Sequence, residues 1–245
     1  MNSATAARLI ALNREFYDRF GEDFSATRRR LQPGVMRILD SLRGDESILD
    51  LGCGNGELAR ELARRGHRAP YLGLDFSLPL LRAAESPLGG IPQPSGFQAA
   101  FREMDLTQLS VESGKWPLIT AFAVFHHIPS NEIRLRLLRA IHDLLTEDGR
   151  FILSNWQFLH SDKLKARIQP WSTAGLSSAE VDEGDYLLDW KRGGTGLRYA
   201  HHFSAEELSA LAEQTGLRVV DSFLSDGEGG RLGLYQTWIK NVVPT

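Results

Sequence analysis

Three glycines at two-residue spacing, Gly52, Gly54 and Gly56, follow a short apolar run that contains Asp50. Glycine allows a tight turn and lets a ligand lie against bare backbone, and the N-terminus of a following helix favours anions. A dinucleotide fingerprint places its third glycine where Glu57 stands here, which weakens the pyrophosphate interpretation. The pattern predicts a strand, a ligand-binding turn and a helix in direct succession.

The same spacing resembles motif I of the class I S-adenosylmethionine-dependent methyltransferases. The resemblance implies S-adenosylmethionine as the cofactor, with its methionine portion against Gly52 and Gly54 and its ammonium near Asp50. Asp75 ends a second apolar run, and a carboxylate there can bind both ribose hydroxyls, a bidentate contact that neutral side chains satisfy less well. Ligands of open α/β sheets lie beyond the carboxyl ends of the strands, so both aspartates can contact one cofactor.

Further candidate cofactor residues lie at or just after these strand ends. Phe76 extends the second strand end, Asp105 is placed to receive the adenine amino group, and Leu106 offers a backbone contact. Ala123 belongs to the run 121–129, whose backbone would close over the methyl-bearing sulfur. Each aspartate alone could be an ordinary helix cap. Three acidic residues at successive strand ends, together with the glycine turn, favour the methyltransferase interpretation.

Strand-like and helix-like segments alternate from residue 47 onward, which predicts an α/β fold with helices on both faces of a mostly parallel sheet. The predicted strands are 47–51, 70–75, 96–103, 117–122, 150–155, 217–224 and 232–239, and the predicted helices are 57–65, 79–84, 131–145 and 205–215. The Gly-rich loop before the last strand predicts an edge hairpin. This is the layout of the Rossmann-like, seven-stranded methyltransferase sheet, with order 3-2-1-4-5-7-6 and the last strand antiparallel.

Two segments lie outside that core in a predicted single domain of residues 1–245. Residues 1–42 are expected to form a helical lid before the first strand, and residues 157–202 a substrate-side insertion after the fifth strand. Ser204 and Glu207 predict a capping box at the start of the last helix.

The composition is that of an ordinary soluble globular protein, with 42% hydrophobic and 24% charged residues. No apolar run approaches the roughly 20 residues that a membrane helix needs and no secretory signal is seen, so a cytoplasmic location without membrane contact is expected. The single cysteine, Cys53, excludes an intramolecular disulfide and a cysteine-based metal site, and no metal is expected. Its place inside the glycine turn favours packing over nucleophilic chemistry. The net charge of −3 is less basic than is usual for domains built for nucleic acid alone.

Several segments outside the shared core are similar to one subfamily, the eukaryotic tRNA wobble-uridine carboxymethyl methyltransferases and the methyltransferase domain of the AlkB-like tRNA hydroxylase. The similar segments are Phe16-Tyr17-Asp18, the F-S-x-T-R segment at 24–28, Asp75-Phe76-Ser77, the pair His126-His127, and the blocks 184–190 and 197–203. Asp189 and Ala200 replace residues that are typical of the late blocks. The resemblance implies a tRNA substrate, an acidic site residue at Asp185 and a small activating protein subunit.

The acceptor decides which side chains the chemistry needs, because methyl transfer from a sulfonium is an in-line displacement that depends on positioning and desolvation. A carboxylate acceptor is already anionic and needs a cation or donors, for which Arg198 and His127 are the candidates. A hydroxyl or amine acceptor gains from a base, and His126 or His127 is the natural choice. Adjacent residues that leave a strand usually point in different directions, so only one of the two histidines is expected to face the site.

The lid supplies two further candidates. Arg28 could reach the cofactor's carboxylate with its planar fork, or it could be a surface member of the run 28–30. Tyr17 could lie over the cofactor or pack between helices. Three functions stay open: a tRNA-modifying methyltransferase is favoured, a small-molecule O- or N-methyltransferase is the alternative, and a cofactor-binding protein without turnover is the third.

Overall fold

The computed structural model describes residues 1–26, 30–86, 94–109, 114–191 and 193–241. Its helices and strands, in chain order, are α1 (Ser3–Ala26), α2 (Pro33–Leu39), β1 (Ile48–Leu51), α3 (Glu57–Arg64), β2 (Tyr71–Asp75), α4 (Leu78–Glu85), β3 (Ala99–Glu103), β4 (Trp116–Phe122), α5 (Asn131–Leu144), β5 (Leu145–Trp156), α6 (Asp162–Lys165), β6 (Ile168–Gln169), β7 (Asp185–Trp190), β8 (Gly196–His201), α7 (Ala205–Glu213), β9 (Leu217–Ser225) and β10 (Gly233–Lys240). Within these ranges, no helix has the length and apolar character needed to cross a bilayer.

The main sheet has the order β3-β2-β1-β4-β5-β10-β9. Strands β1 to β5 pair in parallel, and β10 runs antiparallel to both β5 and β9. The predicted α/β fold, the strand order and the antiparallel last strand are confirmed. Because β1, β2, β4 and β5 point the same way, their carboxyl ends meet at one edge of the sheet.

Apolar side chains cover both faces of this sheet. Phe151 and Leu153 of β5 belong to a buried cluster with residues of α5 and α7. Ile152, which points to the opposite face, clusters with Val35 of α2 and Leu62 of α3. This alternation is what a strand buried on both faces requires. The two cores hold the strand ends in place.

Helix α1 contacts both the core and the insertion. Phe16 and Phe20 cluster with Leu80 of α4 and with Trp190 of β7, while Leu9 clusters with Tyr199 of β8. Apolar residues three and four apart on one helix face produce this stripe.

Helix α2 is tied to the hairpin between β9 and β10. Pro33 occupies its first turn, where a missing N–H costs nothing. The backbone N–H of Gly34 donates to Asp226 Oδ1 at 2.9 Å, and the Tyr235 hydroxyl donates to Oδ2 of the same carboxylate at 2.7 Å. A Cβ at position 34 would lie 2.3 Å from the Tyr235 ring, so this contact needs glycine.

The largest differences from the sequence predictions are two strand starts and one additional sheet. β5 begins at Leu145, directly after α5, because Leu145 pairs with Trp116 of β4. The register then shifts, and the pairing of β5 with β4 continues with Arg150 opposite Leu118. β3 begins at Ala99 because Gly96 has a φ of 91°, outside the strand region. The insertion contains a three-stranded antiparallel sheet, β6-β7-β8, that the sequence patterns did not reveal.

Candidate active site

A cavity of about 510 Å³ lies at the shared carboxyl edge of the sheet, bounded by α1, the strand ends and the β9–β10 hairpin. Its lining includes twelve predicted site residues: Tyr17, Asp50, Gly52, Gly54, Asp75, Phe76, Asp105, Leu106, Ala123, His126, His127 and Arg198. Arg28 lies outside the described residues. Asp185 is not among the described residues that line the cavity.

Of the three glycines, only Gly54 has open space where a side chain would stand. Gly52 has a φ of 72°, and a Cβ there would lie 2.4 Å from the Val124 side chain. Gly56 has a φ of 78° at the start of α3, and a Cβ there would lie 2.9 Å from Ala84. Gly54 has a φ of 54°, but a Cβ there would meet nothing within 4 Å among the described residues. The turn therefore exposes its backbone to the cavity at Gly54, as a bound cofactor requires.

The Asp75 carboxylate is built into the same turn. Its Oδ2 accepts a hydrogen bond from the Gly54 N–H and its Oδ1 one from the Ser77 N–H, both at 2.9 Å. Burial raises the pKa of Asp75, while these backbone bonds oppose the shift. A carboxylate has about four acceptor sites, so acceptor capacity remains after its backbone bonds. These free acceptor positions fit a ribose with two adjacent hydroxyls, which donate.

The Asp50 carboxylate lies deeper, at the end of β1. It accepts from the Tyr71 hydroxyl at 2.6 Å and from the Thr120 hydroxyl at 2.7 Å. Burial raises the pKa of Asp50 to about 6, although both hydrogen bonds lower it. Cys53 is buried beside it, and burial raises the pKa of its thiol, which fits the predicted packing role.

Asp105 has contacts on both of its carboxylate oxygens. Oδ1 accepts from the Thr107 N–H at 2.9 Å and thereby caps the short helical turn that contains Leu106. Oδ2 pairs with Arg14 of α1 at 3.0 Å, and the Arg14 guanidinium lies 5.6 Å from the Phe76 ring centroid. Asp105 therefore connects α1 to the cavity wall and also serves as a cap.

Both histidines line the cavity, so the expectation that only one faces it is wrong. Phe125–His127 is a single 3₁₀ turn, in which successive side chains are about 120° apart and do not alternate as in a strand. The His127 Nδ1 lies 3.0 Å from the Tyr199 carbonyl oxygen, and its Nε2 lies 3.0 Å from the Tyr17 hydroxyl. The His126 Nδ1 accepts from the Trp156 N–H at 3.3 Å.

These bonds assign the neutral tautomers. A carbonyl oxygen only accepts, so the His127 Nδ1 carries the proton and its Nε2 accepts from Tyr17. The Trp156 N–H only donates, so the His126 Nδ1 accepts and its Nε2 carries the proton. In each neutral ring, the acceptor nitrogen is already engaged by the protein.

Arg198 brings a cation to the cavity wall. It is 6% exposed, and its guanidinium carbon lies 4.9 Å from the Trp156 ring centroid and 5.3 Å from that of Phe16. Aromatic faces stabilise a cation through their negative π surfaces. The charge is therefore placed where an anionic ligand group would meet it in a low-dielectric setting.

Asp185, which the sequence predicts as a catalytic residue, lies in a buried ionic network and not among the described residues that line the cavity. Its Oδ1 accepts from the Tyr199 hydroxyl and from His201 Nδ1, both at 2.7 Å, and lies 3.5 Å from Arg134. His201 Nε2 bonds Glu207 at 2.9 Å, so the Glu207 carboxylate binds the insertion and Ser204 alone caps α7. This buried ionic network joins the insertion to α5 and α7.

Three residues near the cavity were not found from the sequence. Asn13 of α1 bonds both the N–H of Tyr199, at 2.8 Å, and its carbonyl, at 3.2 Å, as a neighbouring strand would. Ser154 Oγ accepts from the Ala123 N–H at 3.0 Å and supports that residue's φ of 59°. Asn155 lies beside it in the cavity wall. The available signal was weak: a polar residue within an otherwise apolar helix face or buried strand.

Comparison with known proteins identifies the family. The model of the methyltransferase domain family matches residues 24–222. The chain belongs to this family. Together with the fold, the match confirms the expectation of a class I S-adenosylmethionine-dependent methyltransferase.

The methyltransferase is similar to proteins with several acceptors. A protein of Encephalitozoon cuniculi, classed provisionally as a methyltransferase, is 32% identical over 208 residues, which are 84% of this chain and 87% of that protein. The ubiquinone biosynthesis O-methyltransferase of Bordetella avium is 26% identical over 75% of this chain and 66% of its own length. The tRNA (carboxymethyluridine(34)-5-O)-methyltransferase alkbh8 of Xenopus tropicalis is 27% identical over 59% of this chain and 22% of its own length.

Solved structures share the fold. A S-adenosylmethionine-dependent methyltransferase from Methanosarcina mazei superposes with a TM-score of 0.68 at 24% identity, covering 87% of this chain and 99% of that one. DhpI in complex with S-adenosylmethionine gives a TM-score of 0.67 at 16% identity, covering 94% and 97%. The described Gly54 and Asp75 geometry fits the same cofactor.

Proposed function

We propose that this methyltransferase forms a methyl ester on the carboxylate of a modified wobble uridine in tRNA. The observation that carries the proposal is the buried Arg198 cation in the cavity wall. The similarity to the Xenopus tropicalis tRNA methyltransferase over 59% of the chain supports the same acceptor class. We further infer that the enzyme works in the cytoplasm, with a small activating subunit as a candidate partner.

The cofactor side of the cavity is assigned to the turn and the strand ends. S-adenosylmethionine, when bound, supplies an electrophilic methyl group on a sulfonium. Gly52 and Gly54 hold the methionine portion, Asp75 accepts from the ribose hydroxyls, and Asp50 lies near the ammonium. Tyr17, Phe76, Asp105, Leu106 and Ala123 complete the cofactor surface.

Arg198 is assigned to the acceptor side. Its guanidinium holds the acceptor carboxylate and fixes which oxygen points toward the cofactor, since planar fork geometry matches a carboxylate. The surrounding aromatic rings exclude water and so leave the oxygen less solvated. No proton has to leave a carboxylate for its oxygen to be methylated.

The histidines support an acceptor that needs no base. The His127 Nε2 is engaged by Tyr17, and the His126 Nδ1 by the backbone of Trp156. A hydroxyl or amine acceptor would require one of these nitrogens to give up its bond before it could take a proton. His126 and His127 therefore shape the site and do not serve as a base.

Replacement of Arg198 tests the proposal. Arg198→Met keeps much of the stem but removes the charge, and we expect methyl transfer to tRNA that carries carboxymethyluridine to fall on the order of 100-fold. Arg198→Lys should recover part of the activity, and cofactor affinity, measured by calorimetry, should change less than about twofold. Arg218→Met, at an exposed position on β9, is the matched control.

The assay also contains the activating subunit of a eukaryotic relative, so that a missing partner does not mimic inactivity. Undiminished transfer by Arg198→Met would contradict the assignment of the carboxylate to Arg198. No labelled nucleoside with the intact enzyme, while cofactor binds, would contradict the tRNA acceptor.

A small-molecule acceptor is the second candidate. The similarity to the ubiquinone biosynthesis O-methyltransferase of Bordetella avium extends over 75% of the chain, more than the similarity to the tRNA enzyme. Labelled transfer to a metabolite extract but not to tRNA would select this candidate. Tight cofactor binding with no transfer to either would instead favour a binding protein without turnover.

A further inference from the structure

Asn155 places an unpaired amide in the cavity wall. It is the last but one residue of β5, it is 1% exposed, and it lines the cavity. Neither its Oδ1 nor its Nδ2 has a hydrogen-bond partner within the described part of the chain. Buried polar atoms are almost always paired, and an amide can take part in about four hydrogen bonds. An aliphatic side chain would be more stable there unless a ligand uses the amide.

The residues on either side of Asn155 both contact the site. Ser154 Oγ holds the N–H of Ala123 at 3.0 Å, on the cofactor side. Trp156 donates its N–H to His126, and its ring lies 4.9 Å from the Arg198 guanidinium. Asn155 therefore lies between the residue that supports the cofactor loop and the residue that flanks the cation.

We propose that Asn155 recognises the amide edge of a planar acceptor ring, an inference that rests on the proposed function. A carboxamide presents one donor and one acceptor side by side, which complements the adjacent N–H and C=O of a lactam or imide ring, as asparagine complements a base edge. Trp156 offers a flat face for the ring and Arg198 a cation for its substituent. The acceptor class is an imide ring with an anionic substituent, present either as a nucleobase in RNA or as a free molecule.

Two probes that differ only at the imide nitrogen test this proposal. The enzyme, saturated with S-adenosylhomocysteine, is titrated by calorimetry with uracil-5-acetic acid and with its N3-methyl derivative. We expect the intact enzyme to prefer the N–H probe by about 10-fold, and Asn155→Leu and Asn155→Ala to bind the two probes within about twofold of each other. Gln214→Leu, at an exposed amide that follows the last residue of α7, should keep the preference. Affinity for S-adenosylhomocysteine reports that each variant is folded.

The proposal is overturned if the intact enzyme does not bind the N–H probe, binds both probes equally, or keeps its preference in both Asn155 variants. A preference that both variants lose supports it whether or not tRNA is methylated. If tRNA is not methylated in that case, the ring comes from a free molecule and the tRNA function fails alone. If tRNA is methylated but the intact enzyme binds both probes equally, the proposed function stands and the proposed role of Asn155 is wrong.

Discussion

Two buried carboxylates below the glycine turn have different tasks, because their hydrogen-bond partners differ. Asp75 is held by the backbone N–H groups of Gly54, in the turn, and of Ser77, before α4, whereas Asp50 is held by two side-chain hydroxyls. Backbone donors fix the orientation of Asp75 toward the cavity. The hydroxyls fix Asp50 as a charge below the turn.

Replacement of Asp75 should weaken cofactor binding. Asp75→Asn keeps the size but loses the charged, bidentate acceptor, so we expect the dissociation constant for S-adenosylmethionine to rise by about 10- to 100-fold. Calorimetry measures the change, and Asp221→Asn on exposed β9 is the matched control. Unchanged affinity in Asp75→Asn would refute the ribose assignment.

Asp50 should make stability depend on pH in the acidic range. Its pKa is about 6 in the folded protein and 3.8 in the reference state, so the folded protein binds the proton more tightly between these values. Its contribution to the free energy of unfolding is therefore full below pH 3.8 and is lost as pH rises toward 6. Asp50→Asn should flatten this part of the profile, measured by urea unfolding at several pH values. An equally steep profile in the variant would show that other groups cause it.

At the scale of elements, Asn13 connects the lid to the insertion. Its side chain pairs with the backbone of Tyr199 in β8, and Nδ2 also lies 3.3 Å from the carbonyl oxygen of His127. One helix residue thus fixes both a strand and the turn that carries the histidines.

Loss of this contact should destabilise the fold. Asn13→Ala removes the acceptor of the buried Tyr199 N–H and one of the donors to its carbonyl, and we expect the free energy of unfolding to fall by about 2 kcal/mol. Glu15→Ala, on the exposed face of α1, should change it by no more than about 0.5 kcal/mol. Chemical denaturation compares the two; equal effects would mean that Asn13 contributes no more than a surface residue.

The sequence predicted the main sheet well because its central strands are apolar and alternate with periodic helices. It did not predict the sheet of the insertion, whose strand β6 has only the two residues Ile168–Gln169. Asp185 was assigned to catalysis from the block 184–190. An acidic residue there looks the same in sequence whether it contacts the substrate or an ionic network. Its partners Arg134 and His201 are distant in the chain or on the paired strand, so only the tertiary structure distinguishes the two roles.

At the scale of the whole molecule, the cavity is built from parts that are far apart in the chain. Its wall combines Tyr17 of α1, Asp75 of β2, Arg198 of β8 and Leu232 of the hairpin. Residues of the glycine turn were predictable from local spacing, but Asn155 and Asn13 depend on how these parts meet. A ligand that fills the cavity should therefore connect all of them.

Cofactor binding should raise the thermal stability of the whole chain. A ligand whose free concentration is one hundred times its dissociation constant raises the free energy of unfolding by about 2.7 kcal/mol. For a chain of this size, that corresponds to a rise of about 5 to 10 °C in the melting temperature. Differential scanning calorimetry with and without S-adenosylmethionine measures it. Asp75→Asn at the same concentration should show a smaller rise, and an equal rise would place the stabilising site elsewhere.

The guanidinium of Arg198, held between rings from α1 and β5, also has a consequence for turnover. Esterification erases the negative charge of the proposed acceptor, so the product no longer attracts the group that drew the substrate in. Once the ester has left, the Arg198 cation favours a further anionic acceptor over the neutral product. Product inhibition by the ester should accordingly be weak, because the neutral product binds the site less tightly than the anionic substrate.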